Sequence, residues 1–329
     1  GDTFARLGGD EFGLLLSFCP PEKAWQIADS LLALTRVFRF HWEGRTFEIG
    51  ASIGLVHIRK DSGSSAELLR AADSACYVAK AGGRNRVQIY QPDDQTISEH
   101  QQNITWVSRI RQAMDQHAFT LYCQPIQSLK TAETGFFEVL LRLRDGQGGL
   151  IPPSVFLPAA ERYGLMPVLD RWVIHNALAR LAPMLRQDEA ARCAINLSGQ
   201  SLNDERMVDF ILDEIAAHRI HPSSLCFEIT ETSATTRLGK ARELAGRLKS
   251  HGCLLALDDF GSGISAFSYL KELPLDFIKI DGAFVRNIEH HAGDRAILSA
   301  IVEVARDMGK QTIIESFEQA TSLESIQRM

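Results

Sequence analysis

Asp258-Asp259-Phe260-Gly261-Ser262-Gly263 sets two adjacent carboxylates behind the apolar run Leu254-Leu255-Ala256-Leu257 and ahead of a glycine-broken turn. Like charges at a strand mouth repel and lose solvation, so they persist where a cation or a donor network neutralises them. Two readings stand here: a divalent-metal site, or a turn capped by Asp259 with Asp258 solvated. Other strand-like runs end in the same kinds of group: Glu138, Asn196, Glu228 with Glu231, Lys279 with Asp281, and Glu315 with Glu318. That repeated convergence favours the metal. A carboxylate and amide set without His or Cys suits Mg²⁺ or Mn²⁺ rather than zinc. Two such ions ~3.5–4 Å apart would activate a water and stabilise an in-line displacement at phosphorus, which implies phosphodiester hydrolysis. Lys279 would orient the water or neutralise developing charge; its plainer role is an ion-pair partner of the surrounding acids.

These groups need strands to hold them. Apolar strand candidates at 120–124, 136–143, 193–197, 225–229, 254–257, 277–280 and 311–314 alternate with helical stretches. Seven strands with intervening helices predict a β/α barrel, whose active site gathers at the carboxyl ends of its strands. An eighth strand would close it, and the sequence reaches Met329 before offering one.

Ahead of this lies a different pattern. Phe4-Ala5-Arg6-Leu7 and Phe12-Gly13-Leu14-Leu15-Leu16 flank a Gly8-Gly9-Asp10 turn, and a helix from Pro21 carries Ala24, Ile27, Ala28, Leu31 and Leu34 on one face. A second hairpin turns at Glu43-Gly44 with a return strand over 47–58, and a capping box, Ser64 with Glu67, opens a helix that stops at Gly82-Gly83. This predicts an α+β domain whose first half lies upstream. Polar residues Asp93, Asp94, Gln95, Ser98, Glu99 and His100 mark a linker. The expected division is 1–91, a linker at 92–104, and 105–329.

The 329 residues are 45% hydrophobic and 23% charged, the composition of an ordinary soluble two-domain protein. A net charge of -6 gives no general attraction to nucleic acid or an anionic membrane, so a phosphate ligand needs a local site. Six cysteines without a Cys-x-x-Cys pair read as reduced core residues of a cytosolic protein. No run approaches the ~20 apolar residues of a membrane span, which predicts a cytoplasmic segment without membrane contact. Gly1 is not a start methionine and opens inside a strand-like run, so a fragment of a longer parent, anchored or sensing through an upstream region, is expected.

Glu138-Val139-Leu140-Leu141-Arg142, Asn196-Leu197-Ser198, Glu228-Ile229-Thr230-Glu231, Asp258 to Gly263, Ile278-Lys279-Ile280-Asp281 and Glu315-x-x-Glu318, in this order, resemble the EAL domain over roughly residues 105–329. The resemblance implies a TIM-like barrel that hydrolyses cyclic di-GMP to linear pGpG. It implies Glu138, Asn196, Glu228, Asp258 and Asp259 as metal ligands, Glu315 as a ligand or base, and Lys279 as the water-positioning group. Gln124 and Arg142 match positions that hold the nucleotide and its phosphate, Glu318 is grouped with them, and Glu231 matches a residue that steadies the loop after Asp259. Three departures bear on activity. Val139 replaces the family's central alanine, Ser316-Phe317 replaces a glycine-valine pair, and the eighth-strand segment is absent. Such barrels commonly pair through the region after the fifth strand, which implies a homodimer.

Arg6-Leu7-Gly8-Gly9-Asp10-Glu11-Phe12 and Ala79-Lys80-Ala81-Gly82-Gly83-Arg84-Asn85-Arg86 resemble the GGDEF domain of diguanylate cyclases. This implies GTP at Gly8, Gly9, Asp10, Glu11 and Lys80, either as a second activity or in regulation. The leading expectation is therefore a metal-dependent cyclic di-GMP phosphodiesterase. The alternatives are a receptor that binds without cleaving, and a bifunctional cyclase and phosphodiesterase.

Overall fold

A computed structural model describes residues 1–42, 45–60, 62–91, 95–129, 131, 135–146, 148–261, 267–285, 291–315 and 326, with backbone alone at 45, 81, 95–104, 267–268 and 292. They form two units, Gly1–Thr105 and Trp106–Met329.

In the first unit β1 (Thr3–Gly8) and β2 (Glu11–Leu15) make the expected hairpin, followed by α1 (Pro21–Val37). The return strand expected over 47–58 is instead two strands. β3 (Arg39–Trp42) pairs with β4 (Arg45–Glu48), whereas β5 (Ile53–Leu55) pairs in parallel with β6 (Val87–Ile89) across α2 (Ser65–Ala81). Gly54 explains the break: a Cβ there would lie 2.1 Å from the Ala72 carbonyl oxygen, so this residue is pressed against α2 rather than continuing the hairpin. The capping box holds, with the Ser64 N–H donating to Glu67 Oε2 at 2.6 Å.

α3 (Gln95–Asp115) occupies most of the stretch expected as a linker. The second unit follows with β7 (Phe119–Ile126), β8 (Phe136–Arg144), β9 (Leu150–Ile151), α4 (Pro153–Arg162), α5 (Met166–Gln187), β10 (Arg192–Leu197), α6 (Met207–His218), β11 (Leu225–Thr230), α7 (Glu231–Thr236), α8 (Leu238–Ser250), β12 (Leu254–Phe260), β13 (Phe277–Ile280), α9 (Ala292–Asp307) and β14 (Gln311–Ile314). All seven expected strands are present, in the order β14-β13-β12-β11-β10-β8-β7, with β9 added at β8. β7 runs antiparallel to β8, unlike the repeat of a regular barrel. The connection over 127–135 is too short for a parallel crossover of a dozen or more residues.

The sheet curls into a half-barrel. Three strands separate β8 from β13, which in a flat sheet is roughly 19 Å at ~4.8 Å per step. Yet the Phe136 and Phe277 rings lie 5.3 Å apart. The concave face is layered by strand alternation: Phe136, Ala194, Cys226, Ala256, Phe277 and Ile313 form an apolar floor. Two residues further along each chain stand Glu138, Asn196, Glu228, Asp258, Lys279 and Glu315. The convex face packs against helices through Ile174 and Leu178 of α5, Ile211 and Ile215 of α6, Leu244 and Leu248 of α8, and Leu298 and Ile301 of α9. Their spacing of three or four residues is that of a helical stripe.

Val139 belongs to this convex face, 3% exposed among Ile174, Ile195 and their neighbours. The departure at Val139 therefore adds no bulk beside the Glu138 carboxylate, because adjacent strand residues point to opposite faces. The cysteines also differ from expectation. All six are free, but Cys193, Cys226 and Cys253 alone are buried, and Cys123 is exposed on β7, the strand at the end of the sheet order.

Candidate active site

Lys279 organises the mouth of the half-barrel. Its side chain is 1% exposed, and Nζ donates to Glu228 Oε2 at 2.7 Å and to Glu138 Oε2 at 3.1 Å. Asp258 Oδ1 at 3.1 Å and Glu315 Oε1 at 2.7 Å complete its ion pairs. Burial opposes the ammonium charge, but Glu228, Asp258, Glu138 and Glu315 outweigh it and hold the pKa well above the usual lysine value. Asn196 Nδ2 donates to the other Glu138 oxygen at 2.8 Å.

One ammonium does not neutralise this many carboxylates. Burial, with Glu138 and Asp258 adding to it, pushes the Glu228 pKa up to about 8 against the pull of Lys279. Glu315 and Asp259 are raised for the same leading reason, desolvation. Glu228 Oε1 is buried with no hydrogen-bond partner. An orphaned carboxylate oxygen in a cluster short of positive charge fits a hard divalent cation, and the donor set is oxygen throughout.

Asp258 and Asp259 would face opposite sides of a regular strand. Here the β12–β13 register shifts between Leu257 and Phe260, and Asp259 has a left-handed backbone, φ +55°. This irregularity brings carboxylate oxygens of Asp258, Asp259 and Glu315 within 4.8 Å of one another. Asp tolerates that conformation better than most residues, and bulges re-aim side chains. Beyond it Gly261 has φ +97°, and a Cβ there would lie 2.3 Å from Phe284 Cε2. The turn is braced by Glu231, 2% exposed, whose Oε2 accepts the Gly261 N–H at 2.8 Å and whose Oε1 accepts the Tyr269 hydroxyl at 2.7 Å. Asp281 caps its own turn, accepting the Ala283 N–H at 2.6 Å.

The β7–β8 register sets Gln124 opposite Glu138 and Arg142 opposite Thr120, so Gln124 and Arg142 share the concave face with Glu138. Gln124 is exposed and Arg142 half-buried. Glu318, Ser316 and Phe317 lie outside the described residues. Asp170 and Tyr269 were not anticipated from sequence. Asp170, on α5 and 6% exposed, accepts the Ser198 N–H at 2.9 Å and the Ser201 hydroxyl at 2.6 Å. It thereby anchors the loop that follows Asn196. An acid on the buried helical stripe Leu169, Asp170, Ile174 was the signal for it.

In the first unit Gly8 pairs with Glu11, Gly9 takes φ +51°, and the Arg6 guanidinium donates to the Gly9 carbonyl at 2.6 and 2.9 Å. Asp10, Glu11 and Lys80 are exposed. Burial pushes the Cys76 thiol up, against the pull of Lys80 and with Asp73 adding to the rise. Among the described residues no helix is long and apolar enough to cross a membrane.

Comparison with known families matches residues 107–329 to the EAL domain and residues 1–86 to the diguanylate cyclase GGDEF domain. Cyclic di-GMP phosphodiesterase PdeB of Shewanella oneidensis is 37% identical over 99% of this chain and 38% of its own length. Bifunctional diguanylate cyclase/cyclic di-GMP phosphodiesterase MucR of Pseudomonas aeruginosa is 32% identical over 100% of this chain and 48% of its own. The chain thus spans less than half of either relative. Among solved structures, the PaMucR phosphodiesterase in complex with c-di-GMP aligns at TM-score 0.65 and 31% identity, covering 68% of this chain and 91% of that one. The FimX EAL domain from Pseudomonas aeruginosa bound to c-di-GMP aligns at TM-score 0.63 and 33% identity, covering 68% and 90%.

Proposed function

The chain belongs to the EAL domain family and carries a GGDEF domain segment ahead of it, and from that premise we propose that its half-barrel hydrolyses cyclic di-GMP to linear pGpG. The observation that carries this reading is the buried Lys279 ammonium ringed by Glu138, Glu228, Asp258 and Glu315, with Glu228 Oε1 left without a partner.

Glu138, Asn196, Glu228, Asp258 and Asp259 would hold Mg²⁺ or Mn²⁺, two ions in the full site. Bound cations would supply the Lewis acidity that turns water into a nucleophile near neutral pH and offset charge at phosphorus. The protein's own groups do the rest. Lys279 stays protonated, donates hydrogen bonds to Glu138 and Glu228, and would turn an ammonium N–H toward the attacking water, fixing the direction of attack. Glu315 receives the proton that the water gives up. Arg142 offers a planar fork to a phosphate, and Gln124 on the same face orients the nucleotide, with Glu318. Glu231 holds the turn after Asp259, so that the strained pair keeps both carboxylates on one side.

The likeness to MucR supports a second reading for the first unit, GTP binding at Gly8, Gly9, Asp10, Glu11 and Lys80. We take the segment to be cytoplasmic and the barrel to pair as a homodimer. The receptor reading loses one of its grounds, because Val139 faces away from the site.

The test is direct. Full-length protein containing this chain is incubated with cyclic di-GMP and Mg²⁺ or Mn²⁺, and the nucleotides are chromatographed. Linear product that vanishes in Glu138→Ala supports the reading; tight binding without turnover under both metals overturns it.

A further inference from the structure

A second set of metal-type side chains lies on the helical layer, away from the barrel mouth. His175 is on α5, and Glu214 and His218 are one turn apart on α6, which packs beside it. His175 Nδ1 is 3.0 Å from Glu214 Oε1 and 3.1 Å from Oε2, and His218 Nε2 is 3.4 Å from Oε2. The three ligand atoms lie within 4.8 Å of one another. The geometry points to a Zn²⁺ site built from His175, Glu214 and His218, with solvent in the fourth position.

Three arguments carry this assignment. Ligand atoms at ~2.0–2.2 Å from a tetrahedral zinc stand roughly 3.4 Å apart, so the observed separations need only small rotamer adjustments. Two imidazoles with one carboxylate form a borderline-soft donor set suited to Zn²⁺, in contrast to the oxygen donors of the barrel mouth. Among the described residues, no lysine or arginine pairs with Glu214, whose side-chain partners are the two imidazoles. His175 is 58% exposed, which leaves a path for the ion. The three ligands stand on helices rather than on loops, so they are held without loop ordering. Bound zinc would join α5 to α6, the helices before and after β10, which carries Asn196. It would brace the scaffold without touching the mouth.

The test uses the full chain, stripped with EDTA and returned to buffer with excess Mg²⁺ to occupy the barrel carboxylates. Titration of Zn²⁺ against a chromophoric chelator should find one equivalent that His175→Ala and Glu214→Gln each lose. The thermal midpoint of the wild type should rise by ~2 °C or more with zinc, and neither variant should respond. Co²⁺ should give the visible bands of a tetrahedral site in the wild type only. His175 is exposed on a helix, and alanine there favours the fold, so that variant reads the site even where Glu214→Gln unfolds. Zinc binding that persists in His175→Ala, or none in the wild type, overturns the proposal and leaves a plain His–carboxylate pair. None of these readings depends on hydrolysis.

Discussion

Glu231 accepts the backbone N–H of Gly261 at 2.8 Å, and so ties the end of β11 to the turn just beyond Asp259. Its second oxygen takes the Tyr269 hydroxyl, and the group is buried. Glu231→Ala should therefore orphan two donors, at about 1–3 kcal/mol each. It should also release the strained turn and cut hydrolysis by ~10²-fold, the scale expected for misplacing a catalytic group by about 1 Å. Tyr269→Phe leaves one oxygen of the buried Glu231 carboxylate without a partner, should cost about 1–3 kcal/mol, and leaves the Gly261 contact in place. Denaturant midpoints and turnover measured on both variants separate the brace from the packing around it; equal loss of turnover in the two would refute this division.

Val139→Ala restores the residue usual in the family and asks whether that position governs catalysis. Since Val139 packs into the convex-face core, the change should cost about 1–3 kcal/mol of stability and leave kcat within about twofold. A large gain in kcat at unchanged stability would contradict the orientation described here.

Asp170 gives a pH dependence with a definite sign. Burial raises its pKa, against the hydrogen bonds from Ser201 and Ser198. A carboxyl whose folded pKa lies above its unfolded value favours the folded state while both states are protonated. That contribution is lost as pH rises from the ordinary aspartate value through the raised one. Asp170→Asn does not titrate, so its stability relative to wild type should improve steadily over that interval and then level. Urea midpoints of the two proteins from about pH 3.5 upward measure it. A difference that does not change with pH would show that Asp170 ionises normally in the fold.

Much of this arrangement was legible in the sequence because strand alternation is rigid. Each chemical residue stands two positions after an apolar floor residue, as Glu228 follows Cys226 and Lys279 follows Phe277. The same rule, applied to Glu138, places Val139 on the other face. What escaped were departures from regularity. The antiparallel β7 depends on a short connection rather than on the strand's own residues. The closeness of Asp258 and Asp259 depends on a bulge and a left-handed backbone, which no alternation pattern reports. Asp170 reads as one more helical charge by residue type, and only its place on the buried stripe with Leu169 and Ile174 distinguishes it.

Lys279→Met tests whether the acids exist to hold cations. In EDTA the variant leaves Glu228, fully buried, and its neighbours without their ammonium, and breaking a buried pair in this way costs about 3–5 kcal/mol. Mg²⁺ or Mn²⁺ at saturating concentration should return part of that loss, because the ions neutralise the same oxygens and bind the folded state alone. The wild type should gain less, since its lysine already offsets some of the charge. Hydrolysis should stay at least ~10²-fold down in either metal, because restored charge balance does not restore the donor that directs the water. Thermal midpoints with and without metal, read beside product chromatography, measure both effects. A variant as stable as wild type in EDTA would mean that the carboxylates relieve themselves by taking up protons. A variant that is destabilised and indifferent to metal would mean that they do not bind the ions at all.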